Sequence, residues 1–215
     1  AFDYPLHFFE PRLWTPRRPA PDSTELAAAA ALLRGARKPF VVAGGGVLYG
    51  EAERELTRFC EAHGLPLGET QAGKSAISDA HPLNMGAVGV TGTTAANTLA
   101  AEADVVLTVG TRLQDFTTGS RTLFHAPGHR IVSLNVQAFD AGKHGAQPLV
   151  ADAKAGLAAL GEVLADWRAP AAWAGPARPG EPRRQRRAAR VCGAREGRVY
   201  NGDRADGSGA TPHAA

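Results

Sequence analysis

Cysteine, methionine and long apolar runs are scarce in this sequence. Its 215 residues include two Cys and one Met, and neither Cys has metal-ligating residues at a suitable spacing. This scarcity argues against a disulfide framework and indicates a reducing compartment, so we expect Cys60 to pack as a small hydrophobic side chain. No apolar run approaches the roughly 20 residues of a membrane helix, and no secretory signal is visible. These absences predict a cytoplasmic protein without a membrane partner.

The net charge of +3 conceals an uneven distribution. Residues 1–168 carry 15 Lys and Arg against 17 Asp and Glu, whereas residues 169–215 carry 9 against 4. The globular part therefore gives no electrostatic argument for a nucleic-acid partner. The basic run at 183–187 could bind nucleic acid, but it has no interleaved aromatic residues and is better explained as a solvated segment.

Composition divides the chain into three parts. Residues 1–21 contain five prolines, which is typical of an extended interdomain linker. Residues 22–168 have the periodicity of a folded α/β domain. Residues 169–215 are rich in Ala, Gly, Pro and Arg, and we expect them to be disordered because they can bury too little apolar surface. The linker's aromatic residues are Phe2, Tyr4, Phe8, Phe9 and Trp14. They are too apolar for a free segment, so we expect them to pack on the surface of a domain, either in this chain or outside it.

Strands alternate with helices between residues 22 and 168. The apolar run at 105–109, rich in β-branched residues, predicts a central strand buried on both faces. Further strands are predicted at 40–43, 65–69, 85–88, 130–135 and 148–151, and helices at 22–34, 51–63, 93–102 and 152–167. This alternation predicts a Rossmann-like, doubly wound parallel sheet of five or six strands with helices on both faces.

Helix ends carry recognisable signals. Asp22 is placed to cap the first helix, and Glu25 follows three residues later as in a capping box. Gly35 and Gly64 are predicted stops. Asp152 is predicted to cap the last helix, which turns four apolar side chains inward: Leu157, Leu160, Val163 and Leu164.

The loop after the central strand, Gly110–Gly119, is the first place to look for function. In open α/β sheets, ligands bind beyond the carboxyl ends of the strands. This loop is polar and follows the most buried strand of the predicted sheet.

Residues 68–75 match the P-loop pattern G-x-x-x-x-G-K-[ST] letter for letter. In a P-loop the Lys, here Lys74, stands at the start of a helix whose backbone amides cradle phosphates. Pro82 and the polar residues before it deny the segment such a helix, and no later strand ends in a Mg²⁺-binding Asp. We therefore expect no NTP binding here. Gln71 and Lys74 are predicted instead to face the active site of a neighbouring domain.

Two other glycine-rich stretches each allow two interpretations. Gly44–Gly46 follow a strand as in dinucleotide-binding folds, but the G-x-G-x-x-G spacing fails at Tyr49, and close backbone packing explains them equally well. The segment 86–93 is either a ligand-facing loop or a tight turn that needs small residues. The histidines at 125, 129 and 144 have no Cys or carboxylate at metal-ligand spacing, so we predict surface histidines and no metal site.

Several segments together point to a family. They read N-M-G-A-V-G-V-T-G at 84–92, A-A-N at 95–97, A-D-V-V at 103–106, V-G-T-R-L-Q-D at 109–115 and T-G at 118–119. In this order they resemble the central domain of thiamine-diphosphate enzymes of the acetolactate-synthase type. The segments 69–74, 115–121 and 138–146 resemble one branch, the trihydroxycyclohexanedione hydrolases of myo-inositol catabolism. Residues 1–10 resemble the linker from its preceding domain, and the resemblance covers about residues 1–168.

The resemblance implies a three-domain parent enzyme that opens a cyclic dione by C–C hydrolysis, using thiamine diphosphate and Mg²⁺, and that forms a homo-oligomer. The pyrimidine- and pyrophosphate-binding domains hold the cofactor in this family. No catalytic residue or metal ligand is therefore expected in this chain, which should be inactive alone. Some relatives bind FAD or ADP in the central domain. The corresponding crevice of this chain would either bind a nucleotide or be a vestige of such a site. It would be formed by Gly44, Gly45, Gly46, Gly89, Thr91, Gly92, Gly110, Thr111, Arg112 and Asp115.

Two alternatives stay open at this stage, a P-loop-like nucleotide-binding module and a non-catalytic assembly domain. Titration with an ATP analogue tests the first, and binding of FAD or ADP tests the second. The chain lacks an initiating Met, so we also expect an internal piece of a longer protein. Because the resemblance ends near Trp173, we expect residues from about Gly175 onward to be translation in a shifted reading frame. A natural disordered linker is the alternative.

Overall fold

A parallel sheet organises residues 3–174, the part of the chain that the computed structural model describes. Its strands are β1 (Pro39–Ala43), β2 (Leu67–Glu69), β3 (Asn84–Ala87), β4 (Val105–Val109), β5 (Arg130–Asn135) and β6 (Gln147–Val150). The strand order is β3-β2-β1-β4-β5-β6, and every neighbouring pair is parallel. The predicted fold class is therefore confirmed, with six strands.

Strand β4 is central, as its apolar run predicts. All five of its residues are buried, and it pairs with β1 on one side and β5 on the other. Val106 is fully inaccessible to solvent. A parallel strand covered on both faces needs no polar alternation, which explains the nearly unbroken apolar sequence.

Helices pack on both faces of the sheet. The helices are α1 (Ser23–Arg34), α2 (Gly45–Tyr49), α3 (Glu53–His63), α4 (Thr94–Glu102), α5 (Asp115–Thr118), α6 (Ala138–Ala141), α7 (Ala153–Val163) and α8 (Ala171–Ala174). One apolar core contains side chains of α1, α3 and α7 against β1, β4 and β5, and the other contains those of α4. In the described part of the chain, 3₁₀ turns lie at Leu6–Phe9, Gln71–Gly73 and Lys143–Gly145. Among the helices of residues 3–174, none has the length and apolar character needed to cross a bilayer.

The structure confirms the predicted helix ends at Asp22 and Gly64 but differs from the predictions at the side chains of Glu25 and Val163. Asp22 accepts hydrogen bonds from the backbone N–H groups of the first turn, and Gly64 ends α3 in the left-handed conformation. The capping box is wrong in its second half, because the Glu25 carboxylate accepts from the N–H of Val150, 2.7 Å away, and so ties α1 to β6. The inward position expected for Val163 is also wrong, since this last residue of α7 is 38% exposed.

Cys60 packs in the core, as expected of a small hydrophobic side chain. It is completely buried on α3. Burial, with a smaller contribution from Glu61, raises the pKa of its thiol well above the ordinary value. The thiolate, which is the reactive form, is therefore strongly disfavoured in the folded chain.

The linker is attached to the domain by its last residues. Arg18 donates hydrogen bonds to the carbonyl of Gly50 (2.6 Å) and to the Asp152 carboxylate (3.3 Å). The N–H of Asp152 in turn donates to the carbonyl of Pro19 at 2.9 Å. The aromatic side chains of the linker, which precede Arg18 in the sequence, do not pack on the described domain. Those of Tyr4, Phe8, Phe9 and Trp14 are 55–78% exposed.

The amino edge of the sheet is closed by polar contacts and one aromatic ring. The Asp104 carboxylate accepts from the N–H groups of Arg37 and Lys38, both at 2.8 Å, which fixes the entry to β1 beside β4. Trp173 is buried, and its indole N–H donates to the carbonyl of Pro39 at 2.7 Å. The predictions for residues beyond 174, disorder and a shifted frame, lie outside the described residues.

His129 precedes β5 at this same edge. Burial, followed by repulsion from His125 and Arg130, lowers the pKa of its imidazole below the ordinary value of 6.5. Its Nε2 atom is buried and has no hydrogen-bond partner within residues 3–174. A proton on this ring is therefore poorly solvated in the folded chain.

The His129→Gln variant should resist acid better than the wild type. The folded state binds this proton less tightly than the unfolded chain, so the free energy of unfolding falls as the pH drops through the ordinary His pKa. Gln does not titrate, so between about pH 7.5 and about pH 5 the variant should lose less stability in urea unfolding. His7→Gln, at an exposed linker position, serves as the control and should behave as the wild type. Equal acid losses in wild type and His129→Gln would contradict the prediction.

Candidate functional site

A crevice of about 610 Å³ opens at the carboxyl edge of the sheet. It lies over the ends of β1 and β4, where the strand order changes direction, and this is the position at which doubly wound sheets bind ligands. We call it the strand-end crevice. Its walls come from the segments that follow all six strands and from linker residues Pro16, Arg17 and Arg18.

Six of the ten candidate crevice residues line the strand-end crevice, and Gln71 lines it as well. The six are Gly45, Gly46, Thr91, Gly110, Thr111 and Arg112. The other four do not line it: Gly44, Gly89, Gly92 and Asp115. The structure thus brings together the loops after β1 and β4 and leaves two glycines of the β3 loop, Gly89 and Gly92, outside the crevice.

Gly44 and Gly46 allow two backbone segments to touch. The N–H of Gly44 donates to the carbonyl of Val109 at 2.8 Å, and that of Gly46 donates to Gly110 at 2.9 Å. A Cβ on Gly44 would lie 2.4 Å from the Gly110 carbonyl oxygen, and one on Gly46 would lie 2.6 Å from the Gly110 Cα. Close packing therefore requires these glycines, and Gly46 also forms part of the crevice floor.

The glycines after β3 serve a turn organised by Asn97. The Asn97 side chain accepts from the N–H of Gly89 and donates to its carbonyl, both at 2.9 Å. Gly89 has a φ of +108°, and a Cβ there would lie 2.1 Å from the Phe116 carbonyl. A Cβ on Gly92 would collide with the Asn97 amide at 2.5 Å. These contacts favour the tight-turn interpretation of the segment 86–93, from which Val88 and Thr91 reach the crevice.

The segment that matches the P-loop pattern does not have P-loop geometry. Gln71–Gly73 form a 3₁₀ turn, Lys74 is extended, and Ser75 has a φ of +76°. No helix begins at Lys74. The ammonium group of Lys74 forms an ion pair with Asp79 and lies 3.8 Å from the buried Glu69 carboxylate. Gln71 and Lys74 therefore differ, since Gln71 points to the crevice and Lys74 holds its own loop.

The crevice contains cations without counter-ions. Arg18 is neutralised by Asp152 and Glu51, whereas the side chains of Arg17 and Arg112 have no ion pair or hydrogen bond within the described part of the chain. The exposed aromatic rings of Tyr49 and Phe116 line the same space. An anion attached to a planar group would find both charge and stacking surfaces here.

Several crevice residues were missed by the sequence analysis. Asn135 ends β5, donates to the Thr111 carbonyl at 3.1 Å, and accepts from the N–H of Gln137 at 3.0 Å. The strand-end rule, applied to β5 as it was to β4, would have found it. The linker wall had no such signal, because only the folded chain brings Arg17 and Arg18 to the β1 loop.

Comparison with known proteins identifies the domain. The family described as "Thiamine pyrophosphate enzyme, central domain" matches residues 26–160. The chain belongs to this family. The match covers the whole sheet and the loops of the strand-end crevice, so the resemblance noted in the sequence is confirmed.

Within this family, the chain is similar to one group of enzymes in particular. The chain is similar to 3D-(3,5/4)-trihydroxycyclohexane-1,2-dione hydrolases of Bacillus cereus (strain AH820), with 46% identity over 164 residues, and of Geobacillus thermodenitrificans (strain NG80-2), with 46% over 167. These alignments cover 76% and 78% of this chain but 26% of each relative, so the chain spans about a quarter of their length. A crystal structure from Mycobacterium smegmatis, of an enzyme assigned as thiamin diphosphate-dependent, matches with a TM-score of 0.57 and 22% identity. It covers 70% of this chain and 29% of the other, and it supports the fold alone.

Gly44→Ala should destabilise the domain. The added Cβ must displace the Gly110 backbone, and overpacking of this kind costs about 1–3 kcal/mol of unfolding free energy. Gly35→Ala is the matched control, because a Cβ there meets nothing closer than 3.7 Å. Urea unfolding monitored by circular dichroism measures both variants. A Gly44→Ala variant as stable as Gly35→Ala would show that the two backbone segments do not touch.

Proposed function

We propose that this chain supplies the central domain of a thiamine-diphosphate- and Mg²⁺-dependent hydrolase that opens a cyclic trihydroxy dione in inositol catabolism. The 46% identity to dione hydrolases over most of the folded part supports this proposal. The parent would be a cytoplasmic homo-oligomer in which pyrimidine- and pyrophosphate-binding domains complete the active site.

The described residues offer no ligand set for the cofactor's metal ion. Within residues 3–174, no group of three or more His, Cys, Asp or Glu side chains could hold a metal ion. We therefore assign cofactor binding to the other domains of the parent and derive no step of the reaction from this chain. Its contribution is to hold the loops at the carboxyl edge of the sheet in place.

The loop after β2 is the proposed contact with the active site. Gln71 faces the strand-end crevice, and its amide lies 3.4 Å from the Thr91 hydroxyl. Lys74 supports the loop from behind through Asp79 and the buried Glu69. In this proposal Gln71 faces the neighbouring domain's site, and Lys74 acts as a positioning residue.

Activity of the isolated chain provides the first test. The purified 215-residue protein should neither bind thiamine diphosphate in calorimetry nor hydrolyse the dione when Mg²⁺ and cofactor are supplied. The B. cereus relative, assayed in parallel, verifies the substrate and the conditions. Turnover by the 215-residue chain would refute its assignment as a central domain alone.

A second candidate function is nucleotide binding in the strand-end crevice, with FAD or ADP as the ligand. The unpaired guanidinium groups of Arg17 and Arg112, beside the ring of Phe116, favour it over a vestigial crevice. The P-loop alternative has weaker support, because a phosphate near Lys74 would meet neither a helix N-terminus nor a free ammonium group. A non-catalytic assembly domain would need none of these unpaired charges.

Titration with ADP and FAD tests this second candidate. Binding should weaken at least tenfold in Arg17→Gln, since charge-assisted hydrogen bonds to phosphate contribute about 1.5–3 kcal/mol each. Arg54→Gln, at an exposed position on α3, is the control and should bind as the wild type. Absence of binding by either ligand would favour a vestigial crevice. ATP binding that is lost in Lys74→Ala would instead support the P-loop module.

A further inference from the structure

A second cavity, of about 530 Å³, adjoins the strand-end crevice. We call it the arginine pocket. The two cavities share a wall formed by Arg112, Gln114 and Phe116. Arg121, Lys143 and His144 line the arginine pocket and not the strand-end crevice. These side chains come from the loop after β4, the turn after α5 and the 3₁₀ turn after α6. Three separate segments thus direct nitrogen-bearing side chains into one space.

The charges in the arginine pocket are not balanced. Lys143 is paired with Asp140, and its ammonium group lies 5.1 Å from the centre of the Phe139 ring. The guanidinium groups of Arg112 and Arg121 have no ion pair or hydrogen bond within residues 3–174. Asp115 is the one carboxylate among the lining residues, and it forms no ion pair in the described structure. Two uncompensated guanidinium groups facing one carboxylate leave a net positive site.

The backbone around this pocket is held in unfavourable conformations. Gly119, Ser120 and Arg121 are consecutive left-handed residues, with φ of +55°, +53° and +66°. Leu113 (φ +45°) and His144 (φ +59°), which also line the pocket, are left-handed as well, and the imidazole Nε2 of His144 lies 3.1 Å from the Leu113 carbonyl oxygen. Such conformations are unfavourable for a non-glycine residue and cluster at functional sites.

We propose that the arginine pocket binds a phosphate group through the forked guanidinium groups of Arg112 and Arg121. Guanidinium groups match phosphate oxygens in pairs of parallel hydrogen bonds. A phosphate dianion would also neutralise the positive charge that remains in the pocket after the Asp115 carboxylate is counted. The left-handed turn at residues 119–121 brings Arg121 into the lining of the same pocket as Arg112. This site shares Arg112 with the nucleotide candidate and differs from it in the second arginine, which is Arg121 in the arginine pocket and Arg17 in the strand-end crevice.

The test uses the complete 215-residue chain and inorganic phosphate as the probe. Phosphate is titrated at constant ionic strength against chloride, with calorimetry and thermal unfolding as readouts. Saturable binding and a rise in unfolding temperature are expected, because a ligand that binds the folded state alone stabilises it. Acetate and sulfate arms distinguish a carboxylate or a general anion preference from a preference for phosphate, which should bind most tightly.

Variants locate the bound phosphate. Arg121→Gln and Arg112→Gln should each weaken phosphate binding at least tenfold, and Arg121→Lys should retain part of it because the charge remains without the fork. Arg54→Gln should bind phosphate as the wild type does, and Arg17→Gln shows whether the anion sits in the strand-end crevice instead. The circular dichroism of each variant confirms that it folds.

Three results would overturn the proposal. One is the absence of saturable phosphate binding, and another is equal binding by wild type and Arg121→Gln. The third is loss of binding in Arg17→Gln, which would place the anion in the strand-end crevice. None of these results bears on whether the parent is a dione hydrolase, so failure of this inference is distinguishable from failure of the proposed function.

Discussion

The structure depends on the contact between the backbone of Gly44–Gly46 and that of Gly110. Two neighbouring parallel strands end here, and their loops must part to opposite faces of the sheet. Hydrogen bonds of 2.8 and 2.9 Å join the segments with no side chain between them. Because the contact consists of backbone alone, it fixes the floor of the strand-end crevice and the point from which Thr111 and Arg112 depart. Any side chain at Gly44 or Gly46 would push the two loops apart.

Chemical variety lies on the loops and on the linker, while the strands supply rigidity. The strands β1 and β4 are buried throughout, and no titratable side chain lies on either. Charged groups that can meet a ligand, such as Arg17, Arg112 and Arg121, stand on segments that the strands only position. This division is general for α/β folds, in which function is determined by sites carried on a common scaffold. It explains how a central domain can keep its sheet while its ligand changes.

Much of the fold could be predicted from local sequence signals, and less of the site. The apolar runs, Asp22, Asp152 and Gly64 give strands, caps and stops, because each depends on a few adjacent residues. Glu25 could not be predicted to reach Val150, since that contact joins residues far apart in the chain. The sequence singles out the glycines, but it could not separate those that line the crevice from Gly44, Gly89 and Gly92, which serve packing. The arginine pocket was invisible for the same reason, because tertiary structure alone brings Arg112 and Arg121 together.

The central claim is that this chain performs the part of a dione hydrolase's central domain. Exchange of domains tests it most directly. In the B. cereus relative, the 164-residue aligned segment is replaced by the corresponding residues of this chain, and dione hydrolysis is measured with thiamine diphosphate and Mg²⁺. The account predicts an active chimera whose activity depends on the added cofactor. A chimera that folds and binds the cofactor but does not hydrolyse the dione would contradict it.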